Sequence, residues 1–166
     1  MNETTAVLAA LALSVALTSI AFAAGPEPEQ SKAQPRTPTE VYVPGLGEFM
    51  GAIQLRHAKL WFAGVERNWP LAAYELGEIK EGFEDAAKFQ PNFEGLPIAE
   101  MIARITTHPI ERLQSAIDAR DPVRFAEAFD DLSNACSSCH RAAGHEFIVI
   151  QRPTVPPFTN QRFKPQ

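Results

Sequence analysis

The sequence predicts an all-α fold built from four amphipathic helices. Four stretches between residues 46 and 144 repeat apolar side chains at positions i, i+3, i+4 and i+7, which places them on one face of a helix. Proline and glycine stand at the boundaries of these stretches, where helices begin and end. With 166 residues, 45% of them hydrophobic and 21% charged, the chain has the composition of one globular domain.

The first helix is predicted from Leu46 to Arg67 and the second from Pro70 to Phe89. Proline suits the first helical position, where a backbone N–H has no partner within the helix. The apolar face of the first helix contains two possible metal ligands, Met50 and His57. Each also has an ordinary explanation, because methionine fills gaps in cores and buried histidines are commonly hydrogen-bonded. The glutamates of the second helix are expected on a solvated face (Glu75, Glu78, Glu81).

The third helical region is predicted from Pro97 to Arg120, and the fourth helix follows it as far as Gly144. Thr107-His108-Pro109 predicts either a kinked third helix or two shorter ones, because a residue before proline avoids the α region. His108 is read as a cap or surface residue. Asp121-Pro122 is a strong start signal for the fourth helix. Gly144 is the predicted glycine at its end.

The last two turns of the fourth helix contain Cys136-Ser137-Ser138-Cys139-His140. Two cysteines three apart, with histidine directly after the second, are typical of a c-type haem attachment site. Residues three apart share one face of a helix, so both thiols can reach vinyl groups of one flat macrocycle. His140 is then placed to bind the iron as its proximal ligand.

The two cysteines have three other interpretations. A thioredoxin-like redox pair needs a βαβ setting, whereas the surroundings of Cys136 and Cys139 are helical. A structural zinc site takes four ligands, and the motif supplies three with no second close pair. A plain disulfide stays open, since these are the only two cysteines in the chain.

Net charge limits the classes of partner. The formal charge is −5 and the pI about 5.4. Nucleic-acid binders usually carry a basic patch or stripe, so nucleic acid is not an expected partner. A small acidic carrier would be steered toward basic docking surfaces on other proteins.

The amino terminus predicts export. Residues 1–23 are interpreted as a signal peptide, since Ala6–Leu17 is almost wholly apolar and Ala21-Phe22-Ala23 fits an A-x-A cleavage site. The first five residues contain no Lys or Arg, which departs from the signal-peptide pattern. The alternative is an uncleaved membrane anchor, since the stretch from Ala6 to Ala24 could barely span a bilayer. Residues 24–45 are read as a proline-rich arm. A periplasmic location agrees with the motif, because in the family of c-type cytochromes haem is attached outside the bacterial cytoplasm.

The last segment, residues 145–166, is predicted to be an extended tail that packs on the helices. Its prolines forbid a helix, and Phe158 and Phe163 are candidates to pack back on the bundle. His145 directly follows the helix end and is read as an exposed loop residue.

Residues 46–144 resemble the class II c-type cytochromes, the four-helix-bundle proteins of the cytochrome c′ and cytochrome c-556 type. The resemblance rests on four amphipathic stretches with CxxCH near the end of the last. It implies an up-down bundle holding one covalent haem c, with thioether bonds to Cys136 and Cys139 and with His140 as axial ligand. The arm and the tail depart from that pattern. The c′ type is often dimeric, which suggests a homodimer by analogy, and Arg56–Gly64 also looks like a set of exported cytochrome-like proteins.

The sixth position on the iron has three candidate occupants. In an up-down bundle the first and fourth helices are antiparallel, so the neighbours of His140 lie near the start of the first helix. Met50 fits that depth, and the c-556 type uses a methionine from early in its first helix. His57 lies roughly 10 Å farther along the axis, yet imidazole is the stronger ligand for ferric iron. An open or water-occupied site is the third alternative.

These residues predict a function in electron transfer. With both axial positions filled, the protein would be a one-electron carrier for unidentified redox partner proteins, not an enzyme. The alternative is a protein that binds nitric oxide or carbon monoxide at an open site. A peroxidase would need a distal acid or base, and no residue is singled out for that role. An exported helical binding module without haem is the remaining interpretation.

Overall fold

Four α-helices make up most of residues 42–166, the part of the chain that the computed structural model describes. They are α1 (Leu46–Val65), α2 (Trp69–Phe89), α3 (Ile98–Asp118) and α4 (Pro122–Ala142). Residues 42–166 contain no β-strand, so the predicted all-α fold is confirmed there. Within the same residues, no helix is long and apolar enough to cross a membrane. The predicted signal peptide, and the arm up to residue 41, lie outside the described residues.

Side-chain caps explain where two of the helices begin. The Asp121 carboxylate accepts hydrogen bonds from the backbone N–H groups of Val123 at 3.0 Å and Arg124 at 3.1 Å, and Pro122 occupies the first turn. Asn68 caps α2 in the same way through the N–H of Leu71. These contacts satisfy N–H groups that have no partner within the helix. The predicted start of the fourth helix is therefore confirmed.

The third helix continues through Pro109 as a single element. The hydroxyl groups of Thr106 and Thr107, just before the proline, donate to the carbonyls of Ile102 and Ala103 at 2.8 and 2.6 Å. The buried face extends on both sides of the proline, and burial of this face outweighs the lost backbone hydrogen bond. That face consists of Ile98, Met101, Ile102, Leu113, Ala116 and Ile117.

The helices pack in sequence as a helical bundle. α1 packs on α2, α2 on α3 and α3 on α4. α1 also contacts α4, but less extensively than these consecutive helices contact each other. The core between them is aliphatic and aromatic, and its largest fully buried apolar side chains are Leu60, Leu76, Ile79, Leu113, Phe125, Phe129 and Leu132.

One glutamate of α2 departs from the expected solvated face. Glu75 is only 1% exposed, and its carboxylate lies 3.3 Å from the Arg56 guanidinium. The same guanidinium contacts Glu78 at 2.7 Å. Helical periodicity placed Glu75 beside charged neighbours, but its side chain lies on the boundary with α1, where an arginine partner makes burial possible.

Close contacts between α1 and α4 occur where α1 ends and α4 begins. A Cβ atom added to Gly64 would lie 2.0 Å from the ring of Phe125, so only glycine permits this approach. One turn away, the rings of Trp61 and Phe129 lie 4.9 Å apart. Moving back along α1 thus means moving forward along α4, so the two helices are antiparallel.

The tail turns back from the end of α4 and contacts the helices. Gly144 has a φ of 74°. Its N–H bonds to the Arg141 carbonyl, and the next N–H bonds to the His140 carbonyl. This is a Schellman motif, which requires a left-handed residue and favours glycine. Farther on, Arg152 pairs with Asp130 at 2.6 Å, and Phe163 is buried.

Candidate functional site

A cavity of about 230 Å³ lies at the end of the bundle where α1 begins and α4 ends. All five residues that the sequence singled out line it: two possible thioether sites, one possible proximal ligand and two candidates for the sixth position. The remaining lining is mostly apolar, as is typical of sites that hold a small molecule or cofactor. It comprises Gly47, Gly51, Ile53, Gln54, Ile79, Phe83, Ile102, Thr106, Leu132, Ile148 and Ile150, beside Met50, His57, Cys136, Cys139 and His140.

The two cysteines are unpaired and partly buried, and both face this cavity. Burial, together with a smaller effect of the neighbouring Cys139, raises the pKa of Cys136 to about 12. Burial also raises the pKa of Cys139, against the opposing effect of Arg104. A raised pKa favours the thiol over the thiolate, and the thiolate is the form that takes part in thiol–disulfide exchange.

The His140 ring is oriented by the tail. Its Nδ1 atom lies 2.8 Å from the backbone carbonyl of Ile148. A carbonyl can only accept, so Nδ1 carries the proton and Nε2 keeps its lone pair. A metal-binding histidine typically donates its other ring N–H in this manner, which fixes both the tautomer and the ring orientation.

His57 is a buried and hydrogen-bonded histidine. It is 4% exposed, its Nε2 lies 2.9 Å from Ser133 Oγ, and its ring packs on that of Phe129 at 4.2 Å. Ser133 Oγ donates to the Phe129 carbonyl at 2.9 Å. The single hydroxyl proton is thus used, so His57 donates from Nε2. Burial lowers the pKa of His57 to about 4, which leaves the ring neutral at pH 7.

The contact between His57 and Ser133 sets the register between α1 and α4. Met50 lies seven residues before His57, and His140 lies seven residues after Ser133. Because the helices are antiparallel with the same rise per residue, this register brings Met50 level with His140. His57 is level with Ser133 instead, about 10 Å deeper in the bundle.

A conventional metal cage is not formed by these residues. Among residues 42–166, no group of three or more His, Cys, Asp or Glu side chains is arranged to hold a metal ion. A haem iron has a different requirement, because the macrocycle supplies four equatorial nitrogens and the protein supplies only axial ligands. His140, and Met50 or His57, are of the right type for those positions.

The size of the cavity bears on how a haem would fit. Pockets that enclose a small-molecule ligand typically measure about 300–1,000 Å³, more than the 230 Å³ found here. Ile148 and Ile150 of the tail line one side of the cavity. The ligand types fit a haem, whereas the volume implies that part of the macrocycle would stay in solvent.

Sequence patterns did not identify Ile148 and Ile150, the tail residues of the site. They also missed Ser133, which bonds to His57, and Ser137, which bonds to the tail. Ile148 and Ile150 alternate within a short apolar run, a period-two signal too short to separate a strand from an arm. Ser133 lies one turn before Cys136, on the same helix face, and that spacing could have pointed to it. The histidines elsewhere do not line the cavity: His108 is exposed, and His145 bonds to the carbonyl of Ala143.

Comparisons with protein-family models, with curated proteins and with solved structures found no match for this chain. The resemblance to class II c-type cytochromes therefore stays a prediction from the motif and the four helices.

Proposed function

We propose that this protein is an exported monohaem c-type cytochrome that carries single electrons between redox partner proteins. The observation that supports this most is the convergence of Cys136, Cys139 and His140 on one apolar cavity, with Met50 level with His140 across it. Each of these residues would have a chemical role at the haem, and all of them line the same cavity.

The cysteine thiols would each form a thioether bond to a vinyl group of the haem. Cys136 and Cys139 are one helical turn apart and line the same cavity. His140 would bind the iron through Nε2, since its Nδ1 proton is held by the Ile148 carbonyl. When bound, haem iron supplies the one-electron redox chemistry that no side chain in this cavity provides.

The register between α1 and α4 favours Met50 over His57 as the sixth ligand. Met50 is level with His140, and its side chain is partly buried in the cavity wall. His57 is already hydrogen-bonded to the buried Ser133. Moving His57 to an iron would leave Ser133 without this partner. Methionine opposite histidine raises the reduction potential and leaves no position for a substrate, which suits a carrier.

A second function, the binding of a diatomic gas, is favoured by a neighbouring cavity. A space of about 370 Å³ between α1 and the tail shares Gln54, His57 and Ile150 with the haem cavity. It offers a small ligand a route to the α1 side of the site. In this reading Met50 is a wall residue and the sixth position is open.

The test is an absorption spectrum of the full chain, produced in a bacterium that attaches haem to exported proteins. We expect a Soret band that persists after denaturation, because the attachment is covalent, and a low-spin spectrum with the red charge-transfer band of ferric Met/His haem. The double variant Cys136→Ala/Cys139→Ala is the control and should lose the covalent haem. Absence of any Soret band would refute the haem assignment. A high-spin ferric spectrum that shifts on addition of nitric oxide would favour the gas-binding function.

A further inference from the structure

The tail returns to the haem-binding motif immediately after α4 ends. The Schellman motif at Gly144 reverses the chain direction, and the N–H of Ile148 then donates to the His145 carbonyl at 2.9 Å. This turn directs the Ile148 carbonyl toward the side chain of His140. Ile148, whose carbonyl orients the ring of His140, follows it by only eight positions in the sequence.

A second contact anchors the tail two residues farther on. The Ile150 N–H donates to Ser137 Oγ at 2.9 Å, and the Ser137 hydroxyl lies 3.2 Å from the Ile150 carbonyl, to which it donates. Ser137 is 6% exposed and does not line the cavity. Its side chain thus faces the tail while the cysteines on either side of it face the cavity.

We propose that Ser137 is a positioning residue for the axial histidine: by holding Ile150 through two hydrogen bonds, it keeps the Ile148 carbonyl on His140 Nδ1 and so directs Nε2 into the cavity. This inference rests on the proposed function for its consequence at the iron. The contact that it describes belongs to the protein alone.

The other serine of the motif gives a matched comparison. Ser138 Oγ donates to the carbonyl of Ala135 at 2.8 Å, a bond within α4 that does not involve the tail. Ser138→Ala therefore removes the same hydroxyl group, one position along the motif, without touching Ile150. A difference between Ser137→Ala and Ser138→Ala reports on the tail contact.

Two readouts on the chain as purified test the contact itself. Ser137→Ala should accelerate hydrogen exchange at the Ile150 amide about tenfold, the effect of losing hydrogen bonds of ordinary strength. Nitrogen NMR of the haem-free chain should show the Nδ1–H tautomer of His140 in the wild type and a mixture of tautomers in Ser137→Ala. Ser138→Ala should match the wild type in both. These measurements need no haem, so they decide the inference even if the proposed function fails.

The reduction potential tests the consequence at the iron. A histidine that donates from Nδ1 is a more basic ligand through Nε2, which favours ferric iron. The potential of haem-loaded Ser137→Ala should therefore lie above those of the wild type and of Ser138→Ala. Ile150→Pro removes the same N–H from the tail side and should raise the potential in the same direction. Faster exchange with unchanged tautomer and potential would show that Ser137 only holds the tail, and equal effects of the two serine variants would also overturn the inference.

Discussion

At the level of single residues, one buried hydrogen bond fixes which side chains of α1 and α4 face each other across the cavity. His57 and Ser133 are each buried and lie 76 positions apart in the sequence. The bond between them explains why a histidine is found on the apolar stripe of α1, and it brings Met50 level with His140. Met50 and His57, which the sequence alone could only rank by depth, therefore acquire distinct structural roles.

Replacement of Met50 by alanine should convert a low-spin haem spectrum into a high-spin one, because alanine offers no ligand atom to the iron. The measurement is the absorption spectrum of the ferric protein with covalently attached haem. His57→Gln is the matched control, since the amide of glutamine retains a donor for Ser133, and it should stay low-spin. A spectrum that Met50→Ala leaves unchanged rules Met50 out as ligand, and a high-spin His57→Gln protein would assign the position to His57.

Glu75 gives a pH-dependent prediction. Burial raises the pKa of Glu75, although the Arg56 guanidinium acts in the opposite direction. A carboxyl group whose pKa is raised by folding stabilises the folded state fully below its unfolded pKa, about 4.3, and this contribution is lost as pH rises through the folded pKa. Glutamine cannot titrate, so wild type should lose stability relative to Glu75→Gln as the pH rises above about 4. Denaturant unfolding of both proteins across this range measures the difference, and a constant difference would contradict the prediction.

At the level of the helices, the sequence predicted the number, order and approximate ends of all four. These features depend on local signals: the spacing of apolar residues, Asp121-Pro122 and Gly144. The effect of Pro109 on α3 was not predicted as well. The preference of the residue before a proline is a local property, whereas α3 stays whole because its apolar face is buried against other helices. The position of Glu75 depended on a partner in α1, which no pattern within α2 contains.

Two glycines should respond oppositely to alanine. Gly144 has a φ of 74°, and an alanine there would meet no neighbour but would adopt a left-handed conformation. Gly144→Ala should therefore lower the free energy of unfolding by about 1 kcal/mol. Gly77 lies within α2 with open space around its Cβ position. Gly77→Ala should raise stability by about 0.5–1 kcal/mol. Denaturant unfolding of the two variants measures both signs, and destabilisation of similar size in both would show that backbone conformation is not the cause.

At the level of the whole molecule, the bundle is closed at one end and hollow at the other. Trp61, Phe125 and Phe129 fill the closed end, where Gly64 lets the backbones of α1 and α4 approach. The cavity occupies the opposite end. The cysteine motif and the helix order were readable in the sequence because they are local. The tail side of the cavity was not, since it depends on the hydrogen bonds that Ile148 and Ile150 make with His140 and Ser137.

The tail is attached to the bundle a second time, far from the cavity. Phe163 is 6% exposed, its ring packs 5.6 Å from that of Phe62, and its carbonyl accepts a hydrogen bond from Asn68 at 2.9 Å. Between the two attachments, the Arg152 guanidinium lies 4.6 Å above the Trp61 ring and pairs with Asp130. The tail therefore follows the outside of the bundle from its hollow end to its closed end.

Phe163→Ala should lower the free energy of unfolding by about 3 kcal/mol, because it removes a large buried side chain and leaves a cavity beside Phe62. Phe158→Ala is the matched control: this phenylalanine belongs to the same tail but is 39% exposed, and the Lys59 ammonium lies 4.8 Å above its ring. Its loss should change stability by no more than about 0.5 kcal/mol. Denaturant unfolding of the two variants gives both values.

If the tail were held only by its contacts at the cavity, both substitutions would have the same small effect. A large loss confined to Phe163→Ala would show that the tail is a stabilising part of the bundle along its whole length.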